Sequence, residues 1–221
     1  MFIGNKKYEF SDLDLEYMYE AEGNEACVYR YKDKALKIYK DFSRKDRLSE
    51  KDVERLSKIS TNRILLSVES IYNATNKFLG YVLKYIERYP HSLISNVNMI
   101  KFLDELNLIY EDLCLLSNNH VDVEDFIMDN LLFDGNIYIT DPGSYIFRDD
   151  VSVEKLKHEN ILKLNHFIVN ELMTYNVSIS KKNKEKLADH FLDSELFVGE
   201  VMKNEINSKD TVSSYVKRLV R

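Results

Sequence analysis

The chain has 221 residues, of which 44% are hydrophobic and 31% are charged. This composition is typical of a folded globular protein and excludes a largely disordered chain. Six glycines and two prolines exclude collagen-like and proline-rich classes. The formal net charge is −6 and no basic stripe is present, so we expect no binding to nucleic acid.

The sequence lacks the usual signs of a membrane protein or of a disulfide-rich secreted protein. Its two cysteines, Cys27 and Cys114, are too few for a disulfide framework or for a zinc site, which needs about four ligands. The N-terminal segment has no apolar run of the kind found in signal peptides, and no uncharged stretch approaches the roughly 20 residues that span a bilayer. We therefore expect a cytoplasmic protein without a membrane span.

Short stretches of alternating apolar and polar residues dominate the chain before residue 90 and predict β-strands. These stretches cover residues 15–20, 27–32, 35–40, 65–72 and 78–86. The turn Asp33-Lys34 joins the second stretch to the third, and the turn-rich residues 73–76 join the last two, so two hairpins are predicted. Residues 45–60 carry an apolar stripe at helical spacing, which predicts one helix between the hairpins.

After residue 90 the apolar residues recur at steps of three and four, which predicts helices. The longest such face contains Met99, Leu103, Leu106, Ile109, Leu113 and Leu116. Further helices are predicted around residues 161–172, 187–191, 196–202 and 212–219. One hairpin interrupts them, because residues 131–133 and 137–140 flank the strong turn signal Asp134-Gly135. The sequence thus predicts an α+β protein with a β-rich first region and a mostly helical second region.

Residues 123–143 contain the side chains most indicative of chemistry. Asp125 precedes Asn130 by five positions, Asn130 opens the first strand of the predicted hairpin, and Asp141 follows the second strand. Because the open ends of a hairpin lie side by side, we expect Asn130 and Asp141 to come close together. An amide and a carboxylate there suit Mg²⁺, which prefers oxygen ligands and shares them with phosphates. Asp125, in the preceding loop, could accept a proton from an attacking hydroxyl.

This pattern, D-x-x-x-x-N followed by D-P-G, resembles the catalytic loop, metal-binding asparagine and DFG segment of the protein-kinase-like superfamily, including its small bacterial kinases and aminoglycoside-type phosphotransferases. The resemblance implies that Asp125 is the catalytic base and that Asn130 and Asp141 bind Mg²⁺. It also implies a bilobal fold. Residues 1–86 would form a small antiparallel N-lobe with one helix that binds the nucleotide, and residues 87–221 a mostly helical C-lobe.

The first region contains further residues that fit this family. Ala35-Leu36-Lys37 resembles the strand signature A-x-K, in which the lysine holds the α- and β-phosphates of ATP. Strand alternation places Ala35 and Lys37 on one face, where a lysine among apolar residues needs a partner. Residues 21–28 fall where the glycine-rich loop of the family would lie, and Gly23 is the middle glycine of that pattern.

The resemblance also implies an adenine site. Val28 and Ala35 would form its ceiling and Leu132 its floor. The backbone groups of Lys84 and Ile86, in the segment that resembles the family's hinge, would meet the edge of the adenine. Together with Gly23 and Lys37, these residues are the predicted ATP-binding set.

The family pairs its lysine with an acidic residue on the N-lobe helix, and two residues compete for this role here. At about 100° per residue, Glu54 lies nearly opposite the apolar stripe of the predicted helix, whereas Asp52 lies within it. Asp52 also matches the family's spacing between the acid and the following leucine. We therefore expect Asp52 rather than Glu54 to orient Lys37 for catalysis.

Several residues depart from the family pattern. Ala21 and Ala26 replace glycines of the nucleotide loop, and Pro142 replaces the usual phenylalanine. Glu124 stands where regulated kinases carry an arginine that receives a phosphate, which argues against control by phosphorylation of an activation segment. Ile127 replaces the lysine of protein serine/threonine kinases, and the segment after Asp141 is short.

The resemblance therefore implies an ATP- and Mg²⁺-dependent phosphotransferase that acts on a hydroxyl of a small molecule or a protein. A pseudokinase that binds partners without catalysis is the first alternative, because the nucleotide loop lacks two of the family's glycines. Transfer of AMP instead of the γ-phosphate, on the same fold, is the second.

Overall fold

A computed structural model describes residues 1–3, 6–7, 16–20, 26–40, 47–193 and 196–220. Gly23 and the rest of the predicted glycine-rich loop before Ala26 lie outside these residues. The described chain combines an antiparallel β-sheet with several helices, which confirms the predicted α+β class. No helix in the described part of the chain has both the length and the apolar character needed to cross a membrane.

The chain divides into two compact units. The first unit contains Met1–Thr61, Leu65–Ile86 and Asp141–Ser144. The second contains Asn62–Ile64, Glu87–Thr140 and Tyr145–Arg221. Asn62–Ile64 thus belongs to the second unit although the first unit surrounds it in sequence. Asp141–Ser144 likewise belongs to the first unit although the second surrounds it.

A seven-stranded antiparallel sheet forms most of the first unit. Its spatial order is β2-β1-β6-β7-β5-β4-β3. The strands are β1 (Phe2–Ile3), β2 (Lys6–Lys7), β3 (Glu16–Glu20), β4 (Ala26–Tyr31), β5 (Lys34–Tyr39), β6 (Glu69–Tyr72) and β7 (Phe78–Lys84). One face packs on a core of Met1, Ile3, Leu36, Ile71 and Val82. Since side chains alternate along a strand, Lys37 lies on the face opposite to Leu36.

Both predicted hairpins of this unit are present, with shifted bounds. The β4–β5 turn uses Lys32 and Asp33, one residue earlier than predicted, and Lys32 adopts a left-handed φ of 57°. Strand β6 begins only at Glu69, and strand β7 ends at Lys84. The helix α1 spans only Glu50–Leu56, because Ser49 caps its first turn and it ends before Ser57.

The second unit is mostly helical. Its helices are α2 (Met99–Asn118), α3 (Val153–Phe167), α4 (Lys181–Leu192), α5 (Val198–Lys203) and α6 (Val212–Leu219). All six apolar residues of the predicted stripe on α2 are buried, which confirms that prediction. A π-helical turn, Ile168–Leu172, continues directly from α3, so the helix predicted around 161–172 is α-helical only in its first part.

Two small strand pairs complete the second unit. The predicted hairpin is confirmed as β9 (Leu131–Phe133) and β10 (Ile137–Ile139), joined through Asp134, Gly135 and Asn136. A second pair, β8 (Val121–Asp122) with β11 (Ile146–Phe147), is antiparallel and was not predicted. These strands hold only two residues each, too few for an alternating pattern.

Candidate functional site

Lys37 is the most deeply buried charged group of the predicted ATP-binding set. It lies in the middle of β5, opposite Val28 of β4 and Tyr81 of β7, and is only 4% exposed. Its Nζ atom lies 2.7 Å from Oδ1 and 3.0 Å from Oδ2 of Asp141. Because an ammonium group is costly to bury alone, this carboxylate stabilises the charged Lys37 in its buried position.

Asp141 is held by neutral donors as well as by Lys37. The Tyr81 hydroxyl and the Gly143 backbone N–H each donate to Oδ1 of Asp141 at 3.2 Å. Asp141 has a left-handed φ of 63°, and its side chain is 35% exposed. Oδ2 of Asp141 accepts a hydrogen bond from Lys37, and a carboxylate oxygen offers two acceptor positions. The carboxylate therefore retains capacity for a further ligand.

Two glycines allow the backbone to approach this group. A Cβ atom on Gly80 would overlap the backbone oxygen of Lys37, so only glycine lets β7 pair this closely with β5. A Cβ atom on Gly143 would lie 2.9 Å from Oδ1 of Asp141 and 3.3 Å from both Lys37 Nζ and the Tyr81 hydroxyl oxygen. Glycine at both positions therefore keeps the Lys37–Asp141 pair compact.

Asp125 and Asn130 form a second group within the other unit. Asp125 is exposed with a left-handed φ of 57°, and a 3₁₀ turn, Met128–Asn130, follows it. The Asn130 side-chain Nδ2 donates to the backbone oxygen of Asp125 at 3.0 Å. Thr140 donates its backbone N–H to the Asn130 backbone oxygen at 2.8 Å. The amide nitrogen of Asn130 is thus used to fix the loop, and its amide oxygen accepts no hydrogen bond among those described.

The backbone just before Asp125 is fixed by helix α3. Asn160, which is fully buried, accepts the Val123 backbone N–H on Oδ1 at 3.0 Å. Its Nδ2 donates to the Val121 backbone oxygen and to the Ser117 hydroxyl, each at 3.0 Å. One amide side chain therefore satisfies the Val121 backbone oxygen and the Val123 N–H, within and just after the two-residue strand β8.

Buried carboxylates of α2 anchor the β9–β10 hairpin. Glu105 binds the guanidinium of Arg63 through both oxygens, at 2.5 and 3.1 Å, and accepts the Ile137 backbone N–H at 3.1 Å. Asp112 accepts the backbone N–H groups of Arg63 and both its neighbours at 2.5–2.9 Å. The hydrogen bonds that Arg63 donates to Glu105 raise the pKa of Arg63 above its usual value, although burial opposes this shift. These contacts fix the hairpin that begins directly after Asn130.

The expected pairing of Asp52 with Lys37 is wrong in this structure. The Asp52 carboxylate accepts a hydrogen bond from the Ser49 hydroxyl at 2.6 Å, and Lys37 pairs with Asp141 instead. Asp52 occupies the first turn of α1, where a carboxylate is favoured by the helix dipole and the cap. Glu54 is exposed on the other side and pairs with Lys58, whose hydrogen bond and charge hold the pKa of Glu54 below its usual value.

Four of the remaining predicted adenine-binding residues lie in the first unit and one in the second. Val28 and Ile86 are buried, Ala35 is half-buried in register with Leu83, and Lys84 is exposed at the end of β7. The neighbour Tyr85 donates its backbone N–H to the Asp33 oxygen at 2.8 Å. Leu132 is half-buried in the middle of β9, in the second unit. Their roles at a nucleotide remain predictions.

The described side chains that could bind a metal ion are few. Among the described residues, no group of three acidic, histidine or cysteine side chains could hold a metal ion. Mg²⁺ does not need one, since it is usually bound by one or two carboxylates together with substrate phosphates and water. The Asp141 carboxylate and the Asn130 amide oxygen have that chemistry. They belong to different units, so their expected convergence stays a prediction.

Tyr81 and Gly143 are functional candidates that sequence reasoning did not single out. Tyr81 lies next to Lys37 in the sheet register, and Gly143 ends the D-P-G motif.

A search of protein-family models and of curated proteins finds no match for the chain.

Proposed function

We propose that the protein is an ATP- and Mg²⁺-dependent phosphotransferase with a kinase-like fold. The observation that carries the proposal is the ion pair between Lys37 and Asp141. These residues lie 104 positions apart, and the resemblance to the kinase-like superfamily implies that one is a phosphate ligand and the other a metal ligand. Their pairing in one partly buried group, completed by Tyr81 and Gly143, supports a shared role at a polyphosphate.

In this proposal Lys37 supplies positive charge to the ATP phosphates. Its position in the middle of β5, with the adjacent strands β4 and β7 in register, gives it a fixed direction. Asp141 and Asn130 would hold Mg²⁺, which neutralises phosphate charge when bound. Fixed charges of this kind stabilise the transferred group without reorganisation.

Asp125 would act as the general base. The acceptor hydroxyl attacks the γ-phosphorus, a new P–O bond forms as the bond to the β-phosphate oxygen breaks, and ADP leaves. The hydroxyl proton passes to the Asp125 carboxylate, which is exposed and held on a loop fixed by Asn130 and Asn160. The backbone contacts thus direct a carboxylate that has no donor of its own among the described hydrogen bonds.

The proposed fold assigns the first unit to the N-lobe and the second to the C-lobe of a bilobal kinase. Support comes from the antiparallel sheet with one helix in the first unit and the helices with a small hairpin in the second. Val28, Ala35, Lys84, Ile86 and Leu132 would contact the adenine in this arrangement.

The proposal is tested by incubating the purified chain with Mg²⁺, γ-labelled ATP and a combined metabolite and protein extract. We expect label in an acceptor from the wild-type chain and none from the Asp141→Ala variant. Stabilisation by ATP with Mg²⁺ but no labelled acceptor would instead support the pseudokinase. At a free ATP concentration of about 100 times Kd, binding would add roughly 2.7 kcal/mol to the free energy of unfolding. Label from α-labelled but not γ-labelled ATP would support AMP transfer.

A further inference from the structure

Lys163 forms ion pairs with two carboxylates next to the proposed catalytic loop. It lies on α3, and its Nζ is 2.5 Å from Oδ1 of Asp122 and 2.6 Å from Oε1 of Glu124. Asp122 is nearly completely buried and also accepts a hydrogen bond from Arg148 at 3.2 Å. Two carboxylates thus surround the ammonium group of Lys163.

The charge balance at Lys163 indicates a positioning role. Burial would lower the pKa of Lys163, but the hydrogen bonds and charges of Asp122 and Glu124 outweigh it and raise that pKa. The ammonium group is therefore charged, and its charge is already matched by two carboxylates. Such a group suits the fixing of these carboxylates better than the binding of a phosphate.

The position of Glu124 relates this contact to the reaction. Glu124 precedes Asp125 directly, and Lys163 and Asp125 line the same cavity of about 280 Å³, with Ile127 and Glu171 among its other residues. Residues 122 and 124 are two apart, so an extended backbone directs both side chains to one side, where a single lysine binds both. Residues 121 and 123 are held through their backbone by Asn160. Helix α3 therefore fixes all four residues before Asp125.

We propose that Lys163 is a positioning residue that fixes the direction of Asp125 through Glu124. This inference rests on the proposed function, in which Asp125 is the general base. The carboxylate of Glu124 is neutralised within the unit by Lys163, and that of Asp122 by Lys163 and Arg148. Charges within the unit thereby hold the loop before Asp125. No phosphate group on the segment that follows Asp141 is needed to hold it.

The test compares Lys163→Met with Lys155→Met in steady-state phosphotransfer assays. Lys155 lies on the same helix, is mostly exposed and contacts only Glu159, at 3.8 Å, among the described ion pairs. We expect Lys163→Met to lower kcat by about 10- to 100-fold, the scale of a misplaced reacting group, with the KM for ATP unchanged. We expect Lys163→Arg to restore much of kcat and Lys155→Met to leave it unchanged.

The Glu124→Gln variant shows whether Lys163 acts through Glu124. We expect the effect of Lys163→Met on kcat to shrink in the Glu124→Gln background, since the contact is already weakened there. An equally large effect in that background would overturn the role. So would a raised KM for ATP with unchanged kcat, which would instead make Lys163 a nucleotide contact.

Amide hydrogen exchange separates this inference from the proposed function. In Lys163→Met we expect faster exchange in residues 122–127 than in the wild-type chain and in Lys155→Met, while the rest of α3 keeps its protection. A folded Lys163→Met variant with wild-type kcat and wild-type exchange overturns the inference alone. A wild-type chain that transfers no phosphate overturns the proposed function, and the catalytic role of Lys163 with it, even if the exchange result holds.

Discussion

The two units each contain a lysine that binds aspartate, and the two ion pairs are built differently. In the first unit, Lys37 faces Asp141, a partly exposed carboxylate whose other donors, Tyr81 and Gly143, are neutral. In the second, Lys163 binds two carboxylates, one of which is also bound by Arg148. Charges balance in both groups, one against one in the first and two against two in the second. The partly exposed Asp141 carboxylate can accept a further ligand, whereas Asp122 is nearly completely buried between two cations. We infer that the first group binds ligands and that the second one fixes the backbone.

The Asp141→Ala variant gives the largest expected effect and tests the first half of this comparison. Removing the carboxylate leaves the Lys37 ammonium buried without it, and we expect the free energy of unfolding to fall by about 1–3 kcal/mol. Stabilisation by ATP with Mg²⁺ should be abolished. Urea unfolding with and without ATP and Mg²⁺ measures both. The control is Asp33→Ala, an exposed aspartate of the same unit, and unchanged nucleotide binding by Asp141→Ala would contradict the ligand role.

The Asp125→Asn variant tests whether the loop fixed by the second unit serves catalysis. Asparagine tolerates a left-handed backbone, so we expect stability to be kept. The rate of phosphotransfer should fall by about 10²- to 10⁴-fold, because the amide cannot accept the proton. Asp129→Asn, on the same loop and also exposed, should retain its rate. Similar rates for the two variants would show that Asp125 is not the base.

The Gly80→Ala variant tests whether the close strand contact at Lys37 is required. The new methyl group would overlap the Lys37 backbone oxygen, which cannot move as a flexible side chain would. We expect a loss of about 1–3 kcal/mol or more in the free energy of unfolding, measured by denaturant titration. Gly135→Ala is the control, since it also has a positive φ but no atom within 4 Å of the added Cβ. A larger loss at Gly135 would indicate backbone strain rather than overlap.

The Tyr81→Phe variant gives the smallest expected effect and measures the neutral support of Asp141. It removes one hydrogen bond to a charged group, for which we expect a loss of about 1.5 kcal/mol in thermal or urea unfolding. Tyr39→Phe is a matched control, because Tyr39 is a buried neighbour and the described hydrogen bond of its hydroxyl, to the Leu48 backbone oxygen, is long at 3.4 Å. Equal losses in the two variants would mean that the Asp141 contact adds little.

Local sequence patterns were sufficient for most of the secondary structure. The period of α2 and the turn signal at Asp134-Gly135 each depend on neighbouring residues only, and both predictions are confirmed. The strands β1, β2, β8 and β11 were missed because two residues show no period. The helix α1 was predicted too long because a stripe of apolar residues does not mark where a cap ends the helix.

The pairing of charges was not determined by the sequence. A lysine on an apolar strand required a partner, and this much followed from its residue type and position alone. Two carboxylates on α1 competed in the sequence, yet Asp52 accepts from Ser49 and the lysine binds Asp141, 104 positions away. The choice depends on where the backbone places the lysine and each carboxylate, through contacts such as the close approach of Gly80 to the Lys37 backbone oxygen. Sequence therefore determined which groups needed partners, and only the tertiary structure decided which partners they have, because ion pairing depends on distance in space.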